Sequence, residues 1–270
     1  MTCDRPGRCN GENALIQLPD EQLACYREQG YLQIDALTTA DEVERIKTIY
    51  DRLFASKAGR DIGDQFDLAG ADDNGDAPKL PQLMNPARYA PELDDLAFRA
   101  NALAIARQLL APEAEPGDEH AILKLAGYGV ATPWHQDEAY WDPTYEYEAL
   151  SVWMPLQPAT IENGCMQFVP GSHRMDIQPH QSIGGDPRVH GLEIDKSVDV
   201  SNALACPLPT GGCTIHHCKT LHYAGPNNSD VPRRAYILIF QLPPRKRDTP
   251  RRFPWLDIRE TARQERARLS

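Results

Sequence analysis

The chain reads as an α+β protein, with helices first and strands afterwards. Two observations carry this. Before about residue 112 the chain carries helix signals, with apolar residues at helical spacing over 43–54 and an Ala- and Leu-rich run over 92–110, and from residue 120 onward short apolar runs separated by Gly and Pro take over. That order suggests helices packed outside a β-sandwich.

Residues 1–17 carry no periodic pattern and read as a mobile arm. Asp20 is placed to cap a helix through Gln29, with Gly30 as its stop. Tyr31 to Ile34 reads as a short strand. Thr39 and Glu42 have capping-box spacing. Val43, Ile46, Ile49, Tyr50, Leu53 and Phe54 then predict an amphipathic helix to about Ser56. Asp61 to Asp76 is acidic and glycine-containing, but it fails the EF-hand template. With Gly75 at the sixth position, Gly70 stands first and Pro81 last, where carboxylates are required. A solvated loop or a flap is expected instead. Glu92 to Leu110 is Ala- and Leu-rich and reads as a second long helix, ended by Pro112. Strands are expected at 121–126, 151–155, 166–169, 213–217 and 235–241. Residues 176–209 are poor in strand signals and read as a lid or substrate-facing insertion. The end reads as a charged, solvated tail with a surface helix over 259–269. The expected organisation is one domain over 1–270: an arm at 1–17, mainly helical support at 18–112, a strand-rich core at 120–242 and the tail at 245–270.

The 270 residues suffice for a sizeable core. A net charge of −11 argues against nucleic-acid or anionic-membrane partners. The longest apolar run, Tyr236 to Phe240, is strand-sized, and Met1 to Asn13 does not read as a signal peptide. Seven cysteines, an odd number with no CxxC, make a disulfide framework unexpected and fit a reducing, cytoplasmic setting. Cys218, four positions before His222, is a candidate soft ligand, although a thiolate there would suit zinc or copper better than iron.

The chemistry gathers around Thr132-Pro133-Trp134-His135-Gln136-Asp137. In extended backbone, residues i and i+2 point to one face, so His135 and Asp137 can aim at one point. A third ligand is available in His222. Two histidines and a carboxylate are the usual protein set for non-haem Fe(II) oxygenases, with open positions opposite them. Arg233, eleven positions after His222, opens the most apolar strand candidate. Its planar fork suits a carboxylate held in bidentate fashion. A surface salt bridge is the plainer use for it, and Arg234 would face the other way.

These residues, together with Asn163-Gly164-Cys165-Met166-Gln167-Phe168-Val169-Pro170-Gly171-Ser172-His173-Arg174, resemble the phytanoyl-CoA dioxygenase family of Fe(II)/2-oxoglutarate-dependent oxygenases. The resemblance runs from about Ala121 to Gln241. It implies a double-stranded β-helix, the cupin-like jelly roll, with Fe(II) held by His135, Asp137 and His222. It also implies 2-oxoglutarate as co-substrate, O2 as oxidant, and release of succinate and CO2 as a small organic metabolite is hydroxylated at an unactivated carbon. The arginine eleven positions past the distal histidine selects Arg233 for the far carboxylate of 2-oxoglutarate. Trp153 falls where the family has a tryptophan against the co-substrate; a plain core tryptophan accounts for it as well. Asp137 occupies a position that related halogenases leave open for chloride, which favours hydroxylation. Ala224 departs from the family's hydroxyl residue two after the distal histidine. Two alternatives follow: a cupin-like metal-binding protein without oxygenase activity, or the same iron chemistry used for desaturation, cyclisation or epimerisation. The acidic balance weighs against a CoA thioester. His173 and Arg174 read as a turn at the cavity rim. One of His216 and His217 is expected to point inward, and Tyr128, Tyr140, Trp141, Tyr145 and Tyr147 are either pocket lining or ordinary aromatic surface.

Overall fold

The computed structural model describes residues 15–72, 77–127 and 129–269. The expected mobile arm lies outside them up to residue 14, as does Tyr128. Strands are β1 (Tyr31–Ile34), β2 (Gln65–Asp67), β3 (Pro81–Met84), β4 (Glu115–Lys124), β5 (Thr132–His135), β6 (Tyr145–Glu146), β7 (Ala149–Pro155), β8 (Met166–Phe168), β9 (His180–Ser182), β10 (Leu192–Ile194), β11 (Leu204–Cys206), β12 (Cys213–His217), β13 (His222–Ala224), β14 (Arg233–Gln241) and β15 (Arg245–Lys246). Helices are α1 (Asp20–Gln29), α2 (Ala40–Ala55), α3 (Ala97–Leu109), α4 (Pro254–Asp257) and α5 (Ala262–Leu269). None of the described helices is long and apolar enough to cross a membrane.

Two antiparallel sheets form the jelly roll. The larger runs β1-β12-β7-β14-β4-β3-β2 and the smaller β11-β8-β13-β5. Side-chain alternation divides the larger sheet into two faces. Leu150, Val152 and Met154 on β7, and Tyr236, Leu238 and Phe240 on β14, pack with Val43, Ile46 and Tyr50 of α2 and Phe98, Ala102 and Ile105 of α3. The opposite parity, Trp153 on β7 with Ala235 and Ile237 on β14, packs with Met166, Phe168 and Ala224 of the smaller sheet. Both faces of β7 and β14 are therefore covered, which is why β14 reads as a continuous apolar run rather than an alternating one.

The helix ends carry two local findings. Pro19 holds the N-cap position of α1, so Asp20 sits in the first turn and acts on the helix dipole rather than as a cap. Thr39 caps α2 as the spacing predicts, accepting from the Glu42 N–H at 3.2 Å. The Glu42 carboxylate turns back only to the Thr38 hydroxyl, from which it accepts. It accepts from the N–H groups of Ala97 and Phe98 at 2.7 and 2.9 Å and so caps α3, whose own N-cap, Leu96, offers no acceptor. This is why the helix expected from Glu92 begins at Ala97.

Gly30 closes α1 in the left-handed region (φ 79°), where a Cβ would meet His173 Nδ1 at 2.3 Å. Its carbonyl accepts from Thr220 Oγ1 at 2.8 Å and His217 N at 2.9 Å, fixing the turn that leads to His222.

Other expectations change. Residues 61–72 contain β2, with Phe66 and Leu68 buried, rather than a solvated loop. β3 and the first half of β4 carry too few apolar residues to show in the sequence. Residues 176–209 contain three short strands, β9 to β11. The tail is not a solvated face throughout: Phe253, Trp255, Arg259 and Thr261 are buried. Cys25 is disulfide-bonded, whereas Cys165, Cys213 and Cys218 are buried free thiols.

The inter-element cap predicts that Glu42→Ala lowers stability by about 1 kcal/mol. The expected shift in Tm is about 2–4 °C, with Glu42→Gln milder, measured by thermal unfolding.

Candidate active site

β5 and β13 pair antiparallel with His135 directly opposite His222. β5 is an edge strand, where Pro133 costs no internal ladder bond. Past His135 the backbone stays extended for one residue, Gln136 (φ −120°, ψ 134°), before a 3-10 turn opens at Asp137. That residue is enough to bring His135 and Asp137 to one side. The Gln136 side chain points away and is fully buried, donating to the Lys219 carbonyl at 2.8 Å and accepting from Gln178 N at 2.8 Å. It packs, as the alternation expects, and does not face the ligand group.

His135, Asp137 and His222 each place a ligand atom within 4.8 Å of the others. The Nδ1 atoms of His135 and His222 meet the carbonyls of Pro133 and Thr220 at 2.7 and 2.8 Å. Each ring therefore carries its proton on Nδ1 and turns an Nε2 lone pair inward. Those Nε2 atoms lie 3.6 and 3.3 Å from Asp137 Oδ1. Lone pairs facing a carboxylate oxygen repel one another unless a cation or proton lies between. Burial, reinforced by His222, pushes His135 down to about 3, so a proton is not readily taken there. A divalent cation satisfies all three donors, and the donor set suits iron.

The second Asp137 oxygen is held separately. Ser151 Oγ donates to Oδ2 at 2.7 Å, and His216 Nε2 lies 3.2 Å from it. Burial alone would raise the Asp137 carboxyl, but His222 and His216 hold it well below the usual carboxylate range. Of the two adjacent histidines, His216 is the inward one. It lines the cavity, while His217 Nε2 faces Glu148 at 3.5 Å. Ser151 went unnoticed in the sequence. Its same-face spacing with Trp153 on β7 was the available signal.

Arg233 lines the same cavity from the larger sheet and is 1% exposed. Its Nε and Nη1 are buried without a hydrogen-bond partner, and it forms no ion pair with any described carboxylate. Burial pushes its guanidinium down to about 10, partly offset by Tyr50 and Cys165, so it stays charged at neutral pH. A buried, uncompensated cation costs several kcal/mol. Its guanidinium carbon lies 5.3 Å from the Trp153 ring centroid, a cation–π contact that offsets a fraction of this. Arg234 faces the helices and pairs with Asp51, Nε to Oδ1 2.5 Å and Nη2 to Oδ2 2.9 Å. Strand alternation thus leaves Arg233 as the arginine that faces the ligand group.

The cavity holds about 280 Å³. Ala224 lines it, and directly across the ladder Thr132 lines it too and brings a hydroxyl. Tyr140 and Trp141 line it, whereas Tyr145 and Tyr147 pack behind Trp141. His173 and Arg174 are not at the rim. His173 Nε2 and Arg174 Nη2 each meet the Arg27 carbonyl at 3.2 Å, at the end of α1. Cys218 is turned toward Glu138 at 3.5 Å and is outside the ligand group.

Comparisons with known proteins follow this geometry. The family model described as phytanoyl-CoA dioxygenase (PhyH) matches residues 26–235. The crystal structure of EvdO2 from Micromonospora carbonacea var. aurantiaca is 37% identical with a TM-score of 0.77, covering 90% of this chain and 98% of that one. EvdO2 complexed with 2-oxoglutarate gives 36% and 0.76, with the same coverage. A probable alpha-ketoglutarate-dependent hypophosphite dioxygenase of Stutzerimonas stutzeri is 27% identical over 223 residues, which is 81% of this chain and 77% of that protein.

The uncompensated Arg233 charge predicts that Arg233→Met leaves the metal-free protein at least as stable, and by up to about 3 kcal/mol more stable, in urea unfolding without 2-oxoglutarate. A loss of stability would mean that the guanidinium is paired in the folded protein.

Proposed function

The chain belongs to the phytanoyl-CoA dioxygenase family, and on that premise we propose that it hydroxylates an unactivated carbon of a small organic metabolite, with His135, Asp137 and His222 holding the iron and Arg233 the far carboxylate of 2-oxoglutarate. The enzyme is an Fe(II)- and 2-oxoglutarate-dependent dioxygenase, so the alternative of a metal-binding protein without oxygenase activity falls. The observation that carries the assignment of Arg233 is its buried, unpartnered guanidinium on the wall facing the ligand group. A dicarboxylate spanning the cavity neutralises that charge at one end and supplies oxygen donors at the other. A relative 36% identical to this chain has been crystallised with 2-oxoglutarate, which supports the same co-substrate here.

When bound, the iron supplies the oxidising power: 2-oxoglutarate and O2 give succinate and CO2 as one oxygen atom passes to the substrate. The chain's own residues orient and shield. Ser151 and His216 fix Asp137 so that Oδ1 faces the two imidazoles. The carbonyls of Pro133 and Thr220 fix the ring tautomers. Trp153 supports the Arg233 guanidinium from one face, and Met166, Ile237 and Ile239 give the cavity apolar walls that limit water. Thr132 offers the hydroxyl that Ala224 lacks.

Anaerobic Fe(II) with 2-oxoglutarate is expected to give a weak visible charge-transfer band, and air with a substrate to give succinate. His222→Ala should abolish the band by removing the metal. Arg233→Met should keep metal binding while weakening 2-oxoglutarate by about a hundredfold. A full band in Arg233→Met would reject Arg233 as the anchor, and a hydroxyl-free product with stoichiometric succinate would reject hydroxylation in favour of desaturation, cyclisation or epimerisation.

A further inference from the structure

The cavity carries two further guanidiniums, away from Arg233, that the iron chemistry does not use. Arg259 and Arg263 line it from the C-terminal segment, Arg259 just before α5 and Arg263 within it. Arg259 is 9% exposed. Its Nη2 donates to the His190 carbonyl at 2.6 Å, its guanidinium carbon lies 5.6 Å from the Tyr140 ring centroid, and its Nε is buried with no partner. Arg263 lies over the Phe66 ring at 4.9 Å, donates from Nε to the Gly63 carbonyl at 3.3 Å, and places Nη1 3.3 Å from His190 Nε2.

Neither arginine forms an ion pair with a described carboxylate, although other arginines of the same segment do. Arg251 pairs with Glu138, Arg252 with Asp257 and Arg266 with Asp72. Arg247 and Arg268 also form no ion pair with a described carboxylate, but of these four only Arg259 and Arg263 line the cavity. Asp64, outside the cavity and with its Oδ2 already held by Arg88 and Tyr89, attracts Arg263, as does Asp118, which lines the cavity. Against one cavity-lining carboxylate at this end stand two guanidiniums, in a chain whose net charge is −11. Burial and mutual repulsion with Arg263 lower the pKa of Arg259, as expected of a cation kept dry and without a counter-ion.

We propose that Arg259 and Arg263 anchor an oxyanion, a carboxylate or a phosphoryl group, carried by the substrate whose carbon is oxidised. The planar fork of each presents donors matched to such groups, in a dry site where charge-assisted bonds are strongest. The volume of about 280 Å³, shared with 2-oxoglutarate, limits the enclosed part of the substrate to a small skeleton. That the anion belongs to the oxidised molecule rests on the oxygenase reading; the anion site itself does not.

The test titrates wild-type protein, loaded anaerobically with Fe(II) and 2-oxoglutarate, with methylphosphonate, propionate and neutral propionamide by calorimetry. Saturable binding of methylphosphonate or propionate, and none of propionamide, is expected, and the preferred probe identifies the anion class. Arg263→Gln and Arg259→Gln should weaken it about tenfold or more, with partial recovery in the lysine variants and an unchanged Fe(II)–2-oxoglutarate band. No saturable oxyanion binding to the wild type, or equal affinity in folded Arg263→Gln, overturns the proposal. Because Arg259 also ties down the His190 carbonyl, Arg263→Gln and the wild-type titration decide the matter if Arg259→Gln unfolds. Repeating the titration on Arg233→Met without iron or 2-oxoglutarate separates the two readings. Absence of the Fe(II)–2-oxoglutarate band in the wild type, with oxyanion binding retained in metal-free Arg233→Met, rejects the iron reading alone.

Discussion

One register holds the site together: His222 of β13 faces His135 of β5. A slip of one residue in that ladder would turn one ring out of the cavity, since alternate side chains point to opposite faces. Several buried contacts guard it. Gly30 pins the turn before His222 through Thr220 and His217. Leu221 N donates to Ser172 Oγ at 2.9 Å, and Gln136 ties the residue after His135 to Lys219 and Gln178. The candidate metal ligands thus sit on backbone held from both sides.

The cavity inverts the charge of the protein around it. An acidic chain encloses three guanidiniums that form no ion pair with a described carboxylate, one facing the ligand group and two toward the C-terminal segment. Each is held by contacts that do not neutralise it, such as aromatic faces and backbone carbonyls. Lys124 shows the contrasting solution. It is fully buried but satisfied by the carbonyls of Val130, Ala224 and Gly225, and it serves the framework. Unneutralised charge is costly to bury, and in this molecule that cost falls where anionic ligands can offset it.

Much of this was legible locally. The His-x-Asp spacing, His222 and Arg233 were readable because extended backbone has a fixed period of two, and the choice of Arg233 over Arg234 came from the family's spacing. Helix α2 was readable from periodicity, α1 from its start and stop residues, α3 from its Ala- and Leu-rich composition, and the main strands from short apolar runs between Gly and Pro. Missed were β2, β3 and the start of β4, where apolar residues are few and pairing with neighbours decides the structure. Asp118 and His120 share the parity of Ile122 on β4, but that pattern appears only once the strand is known to begin at Glu115.

The sequence alone pointed to the oxygenase chemistry, through a His-x-Asp pair, a distal histidine and the family resemblance that these residues carry. Only the tertiary structure decided which charges go unpaired. It turned an expected solvated tail into cavity wall, placing Phe253 and Trp255 in a core with Ala139 and Leu192 and carrying Arg259 and Arg263 inward behind them. Whether Arg234, Arg251 or Arg266 meets a carboxylate is set by residues more than a hundred positions away, and no local pattern encodes it.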